Sequence, residues 1–154
     1  MDTIDKTDRE ILRLLQQDAR LTTKELAFQL KLTTTPVYER VKKLEREGYI
    51  KGYVAQVNRE KVGRQLMIFC NVVLKENTTL RMQKFEREIA VFEEVMECFK
   101  IAGNTDYLIK IIVPNIGEYQ SFVTNKLGSL DNIARLTSSF VLSEAKNTST
   151  IPIK

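Results

Sequence analysis

Apolar positions recur every three to four residues over the first fifty positions, then give way to β-rich runs that alternate with further helical patterns. Ile11, Leu12, Leu14 and Leu15 predict the buried stripe of a first helix, with Asp5 or Thr7 as its N-cap. Thr22-Thr23-Lys24-Glu25 has the Thr-x-x-Glu form of a capping box, in which hydroxyl and carboxylate satisfy each other's free backbone N–H groups. Leu26, Ala27 and Leu30 follow as the apolar face of a short second helix. After Lys31-Leu32, Thr33 is placed to cap a third helix. Pro36 falls in the first turn, where a missing N–H costs nothing. This helix is expected to reach about Glu47 and stop at Gly48. Tyr49–Val57 is rich in β-formers and predicts a strand, drawn as a small hairpin or wing turning at Lys51-Gly52.

The texture changes near residue 60, at the polar stretch Asn58–Arg64. Two domains are therefore expected, 1–60 and 61–154. The second reads strand Leu66–Leu74, helix Thr78–Val91, strands Val95–Ala102 and Tyr107–Val113 around the turn Gly103-Asn104-Thr105-Asp106, a helix opened by Asn115 and closed by Gly128, and strand Ile133–Glu144. The fold class is α+β, an N-terminal winged helix-turn-helix followed by a ferredoxin-like βαββαβ domain. Such a sheet leaves one face uncovered, and an uncovered face should alternate apolar with polar. Leu66-Met67-Ile68-Phe69-Cys70 and Ile109-Lys110-Ile111-Ile112-Val113 do not alternate. A second copy covering that face is expected, a dimer at least, unless the wing or linker folds back over it.

Charge adds an address. Of 24 basic and 20 acidic residues, 14 and 10 lie in positions 1–64, which leaves 10 and 10 in the remainder. Positions 31–64 alone hold 9 basic against 4 acidic residues, the footprint of a polyanion-binding surface or of a solvated basic face. The chain has no histidine, which removes Ser-His-Asp and Cys-His catalysis and His-containing zinc sites. Cys70 and Cys98 form no CxxC pair and read as inert strand thiols. No enzyme activity, metal or cofactor is expected. The opening Met1-Asp2-Thr3-Ile4-Asp5 has no apolar core, and no run approaches the roughly 18 residues of a membrane span. A cytoplasmic protein without membrane partners follows as the expectation.

The third helix sorts its faces. Val37, Val41 and Leu44 fall together as the buried side. Thr35, Glu39, Lys42, Lys43 and Arg46 gather opposite, flanked by Thr34 and Tyr38. A helix enters the major groove of duplex DNA, with the residues near its start closest to base edges. The candidate DNA-binding set is Thr33, Thr34, Thr35, Tyr38, Glu39, Arg40, Lys42, Lys43 and Arg46, the last three placed for phosphates. Arg40 lies at the edge of the buried side, where an ion pair with an acid of the first helix competes with a phosphate contact.

Ile4–Leu15, Asp18-Ala19-Arg20, Glu25-Leu26-Ala27, Val37–Ile50, Val95-Met96-Glu97-Cys98 and Gly103–Leu108 together resemble the leucine-responsive/asparagine (Lrp/AsnC) family of feast/famine regulators, in the right order over nearly the whole chain. The resemblance implies a transcriptional regulator that binds DNA as a dimer, assembles into octamers or similar rings, and takes an amino acid or related metabolite between ferredoxin-like subunits. Carried onto this chain, it points to Gly103, Asn104, Thr105, Asp106 and Tyr107 for that effector, with Thr137, Ser138 and Ser139 as weaker candidates. Turn N–H groups suit a carboxylate and Asp106 suits an ammonium, but the same aspartate can simply satisfy local backbone N–H groups. Another departure is Lys31 in the turn before the third helix, where such motifs often carry glycine. An architectural, DNA-compacting protein of the same fold with little ligand response is the alternative.

Overall fold

A computed structural model describes residues 4–154; Met1–Thr3, the start of the expected first domain, lie outside the described residues. The chain forms two compact units, one of residues up to Gln56 together with Lys146–Lys154, the other of Val57–Ala145.

The first unit holds α1 (Lys6–Gln17), α2 (Thr23–Leu30) and α3 (Thr34–Arg46). Asp5 caps α1, accepting the Asp8 N–H at 2.8 Å, while the Asp8 carboxylate takes the Asp5 N–H in return. The Thr22–Glu25 box forms likewise, with the Thr22 N–H donating to Glu25 at 2.7 Å. Ile11, Leu12, Leu15, Leu26, Ala27, Val37 and Leu44 make the core, so the helical periodicity translates directly into burial. Lys31 carries the turn into α3 in the left-handed region, at φ 55° and ψ 42°.

Three features differ from the expectation. First, Thr33 is the N-cap of α3 by backbone conformation, but its side chain makes no capping bond. The reason is local: the third residue of the helix is Pro36, which has no N–H to donate. Second, the helix ends at Arg46, and the expected hairpin at Lys51-Gly52 is not formed. Gly48 adopts φ 77°, and the Ile50 N–H returns to the Leu44 carbonyl at 3.1 Å. The residues available for a first hairpin arm are consumed in ending the helix, and Ile50 packs on the helical core. Lys51–Val57 forms neither helix nor strand and has no ladder partner among the described residues. Third, Lys146–Lys154, expected within the second domain, packs with the helices. Gln16 binds Ile151 twice, donating to its carbonyl at 3.1 Å and accepting its N–H at 2.7 Å. Arg13 donates to the Ile153 carbonyl at 2.6 Å, and Ile153 rests against the core.

The second unit contains β1 (Leu66–Leu74), α4 (Thr79–Ile89), β2 (Val95–Lys100), β3 (Tyr107–Val113), α5 (Ile116–Asn125) and β4 (Ile133–Phe140). Its antiparallel sheet has the order β2-β3-β1-β4. Ile68, Cys70, Val72, Ile109, Ile111 and Val113 point to one face, where Phe85 and Ile89 of α4 and Tyr119 and Phe122 of α5 close over them. β4 stops four residues before the expected Glu144. Its partner runs out there: Ile68 faces Phe140, and the Val141 N–H bonds Met67 as a last rung. β2 likewise ends two residues before Ala102, as the chain enters the turn to β3. On the opposite face Met67 is buried, while Phe69, Val73, Leu108 and Ile112 are half-buried.

Candidate functional site

Packing sets the position of α3. Val37 and Leu44, both fully buried, seat it on α1 and α2 and leave Thr33, Thr34, Thr35, Tyr38, Glu39, Lys42 and Arg46 exposed. Lys43 is half-buried and lies 4.0 Å from Glu47. Arg40 is committed elsewhere. Its Nη1 reaches Asp5 at 2.6 Å and Asp8 at 2.7 Å, so the two carboxylates that box the start of α1 also clamp α3. A backbone hydrogen bond from Asp8, and then the Arg40 guanidinium, hold the Asp5 carboxyl below the usual carboxylate range. The ion pair that competed with a phosphate contact in the sequence is therefore made.

Two further residues, Glu45 and Tyr53, join this surface. Glu45 accepts from Lys42 Nζ at 2.8 Å through one carboxylate oxygen, and from the Tyr53 hydroxyl at 3.0 Å through the other. Lys42 also stands 5.8 Å from the centre of the Tyr38 ring. The Lys42–Glu45 spacing of three is legible along a helix. The approach of Tyr53 is not, because it depends on the path of a segment without regular structure.

In the second unit the residues singled out for an effector divide between places. Gly103 sits at φ 140°, a conformation suited to glycine, and Asn104 beside it is exposed. Asp106 closes the turn: its N–H donates to Val72, its carbonyl accepts from Ile101, and its Oδ2 accepts the Leu74 N–H at 2.8 Å. The Tyr107 side chain points into the core, its ring 4.8 Å from Phe85 and its hydroxyl donating to Glu86 at 2.7 Å. Burial and then Glu86 raise its pKa. Thr105 donates to Asn71 at 3.4 Å, and Asn71 faces Thr137 across the β1–β4 ladder. Ser139 lies on the same uncovered face, opposite Phe69. Ser138 faces the helices, where its hydroxyl meets Tyr119 and its Oγ lies 3.6 Å from the Cys70 sulfur. The turn, Asn71, Thr137 and Ser139 thus share one side of the sheet, while Tyr107 and Ser138 place their side chains on the other. Asn71 went unnoticed in the sequence, although it interrupts an otherwise apolar strand.

A three-helix unit presenting a polar, cation-bearing helix, followed by a ferredoxin-like sheet, defines a helix-turn-helix DNA-binding protein with a second regulatory-type domain. Residues 4–51 match the winged helix-turn-helix DNA-binding family, and residues 67–151 match the Lrp/AsnC ligand binding domain. The Bkd operon transcriptional regulator of Pseudomonas aeruginosa is 35% identical over 99% of this chain and all of its own. The leucine-responsive regulatory protein of Escherichia coli is 32% identical over 98% of this chain and 92% of its own. A Neisseria meningitidis transcriptional regulator solved as its L-Met complex superposes with a TM-score of 0.92 at 34% identity, covering 97% of each chain. The chain belongs to the Lrp/AsnC family of DNA-binding transcriptional regulators. No helix among the described residues is long and apolar enough to cross a membrane.

Proposed function

We propose that this protein is a sequence-specific regulator whose assembly and DNA binding respond to an amino acid or a related small metabolite. The observation that carries the DNA-reading half is the outward face of α3, held by two buried contacts and the Arg40 clamp. Thr34, Thr35, Tyr38 and Glu39 lie at the end of the helix that meets base edges, with Thr33 just before it. Lys42, Lys43 and Arg46 lie where phosphates pass. Arg40, engaged with Asp5 and Asp8, serves by setting the angle of the helix. A second copy covers the half-buried sheet face around Met67, Phe69 and Ile112, and dimers of this kind build larger rings.

The effector sits at subunit interfaces beside Gly103–Asp106. Exposed N–H groups of the turn suit a carboxylate. Thr105, Asn71, Thr137 and Ser139 offer hydroxyl and amide groups, and Tyr107 and Ser138 shape the site from the covered side of the sheet. The Neisseria relative, solved with L-methionine, supports an amino acid as the chemical class. Ligand binding biases the assembly and so the spacing of helix-turn-helix pairs along DNA. The setting is the cytoplasm, where its DNA lies.

Reversing Lys42, Lys43 and Arg46 to glutamate tests the DNA face. Affinity for duplex DNA should collapse, and the dependence of log K on log salt should flatten by about 0.9 for each phosphate no longer neutralised. A thermal-shift screen of the twenty amino acids, with solution mass measured in the presence and absence of the best hit, tests the effector half. Stabilisation together with a change in mass is expected. No shift with any amino acid would sink the amino-acid reading in favour of DNA compaction without a ligand.

A further inference from the structure

The carboxylate of Glu45 is occupied on both oxygens, by Lys42 at 2.8 Å and by the Tyr53 hydroxyl at 3.0 Å. Lys42 belongs to the outward face of α3, whereas Tyr53 belongs to the irregular segment that leads out of the helical unit. Glu45 therefore stands between the DNA-facing cation and the segment leading toward the second unit, which begins at Val57. Resting on the DNA-reading role of α3, we infer that Glu45 sets the affinity of this helix by competing with phosphate for Lys42, and that Tyr53 holds Glu45 in the competing position.

The chemistry supports each link. Lys42 lowers the Glu45 pKa through its hydrogen bond, so the carboxylate is ionised throughout the neutral range. Tyr53 is pushed up to about 12, first by burial and then by Glu45, so it remains a hydrogen-bond donor there. The Lys42 side chain is half exposed and that of Glu45 30% exposed. An ion pair so open to water is weak, and a phosphate can displace it. The pair is therefore a brake of limited strength and leaves the cation available. Releasing Lys42 is worth one neutralised phosphate, which corresponds to about a threefold change in affinity over a fourfold change in salt.

The test is a double-mutant cycle on duplex DNA affinity at several salt concentrations in the full chain, with circular dichroism to verify that each variant is folded. Glu45→Gln should tighten binding about threefold and steepen the salt dependence by up to about 0.9. In the Lys42→Ala background the same substitution should lose most of its effect, leaving only the general effect of removing one negative charge. Tyr53→Phe should tighten binding in the same direction by a smaller factor. Equal tightening by Glu45→Gln with and without Lys42 would overturn the competition. Unchanged affinity in Tyr53→Phe would overturn the part assigned to Tyr53. The charge reversal of Lys42, Lys43 and Arg46 separates the two layers. If it leaves DNA binding intact, the DNA-reading role of this face fails and the inference with it. If it abolishes binding while the cycle shows no coupling, only the inference fails.

Discussion

The helical unit buries an acid, and the sheet unit buries neutral hydroxyls and a thiol. In the first, Asp8 is only 3% exposed and is answered by Arg40 across two helices. In the second, the buried Cys70 and Tyr119 and the half-buried Ser138 form a polar cluster without formal charge, with Phe140 edge-on to the Tyr119 ring. The described apolar cores differ in the same sense. Seven buried side chains hold the helices together, against thirteen in the sheet unit. A small core leaves a larger share of stability to caps and ion pairs, whereas a two-layer core can rely on packing. The difference teaches that the helical unit ties a buried carboxylate to a guanidinium, whereas the sheet unit buries thiol and phenol groups that burial keeps uncharged at neutral pH.

The largest effect is expected where packing dominates. Ile109 is fully buried at the centre of β3. Ile109→Ala should destabilise the sheet unit by about 3 kcal/mol, within the usual range for deleting a buried branched side chain, as read from the urea midpoint. If the change were no larger than for an exposed β4 position, the contrast between the units would break.

A smaller effect is expected at the clamp. Arg40→Ala leaves Asp8 buried without its cation. A fully buried pair broken in this way costs about 3–5 kcal/mol, but Arg40 is a third exposed, so about 1–2 kcal/mol is expected. The pH dependence has a definite sign. The folded-state pKa of Asp5 lies below its ordinary value of 3.8. Its contribution is therefore complete above that value and is lost as the pH falls through the lowered one. Acid titration of the helical circular dichroism should show this loss in the wild type and a shallower one in Arg40→Ala. Equal acid sensitivity in both would show that the clamp contributes nothing.

The smallest effect runs the other way. Lys31 occupies the left-handed region, where its Cβ is a source of strain that glycine would not carry. Lys31→Gly should stabilise the helical unit by about 0.5–1 kcal/mol, as read from its urea midpoint. The relief of a left-handed L-residue, about 1–2 kcal/mol, is partly offset by the greater freedom of glycine in the unfolded chain.

Much of this molecule was legible in its sequence because the signals are short-range. The stripe Ile11-Leu12-Leu15, the Thr22–Glu25 box and β1 from Leu66 to Leu74 each depend on neighbours within a turn or a few rungs. The outward side of α3 was legible for the same reason, since burying Val37 and Leu44 turns the opposite side to solvent. The turn Gly103–Asp106 was visible as a turn, but the side of the sheet on which Tyr107 and Ser138 place their side chains follows from strand register. Register is a property of pairs of strands, and a shift of one residue reverses every side chain.

By itself the sequence determined the five helices, the four strands of the sheet and their βαββαβ order, and the address of the excess positive charge, but not the fate of Lys51–Val57. Those follow from periodicity, caps and composition, which act along the chain. Only the tertiary structure decided that Arg40 spends its charge on Asp5 and Asp8, that Tyr53 meets Glu45, and that Ile151 returns to Gln16. The last of these joins residues 135 positions apart. Hydrogen bonds and ion pairs act over a few ångströms in space, whatever the separation along the chain, so no local pattern announces which distant partner will satisfy them.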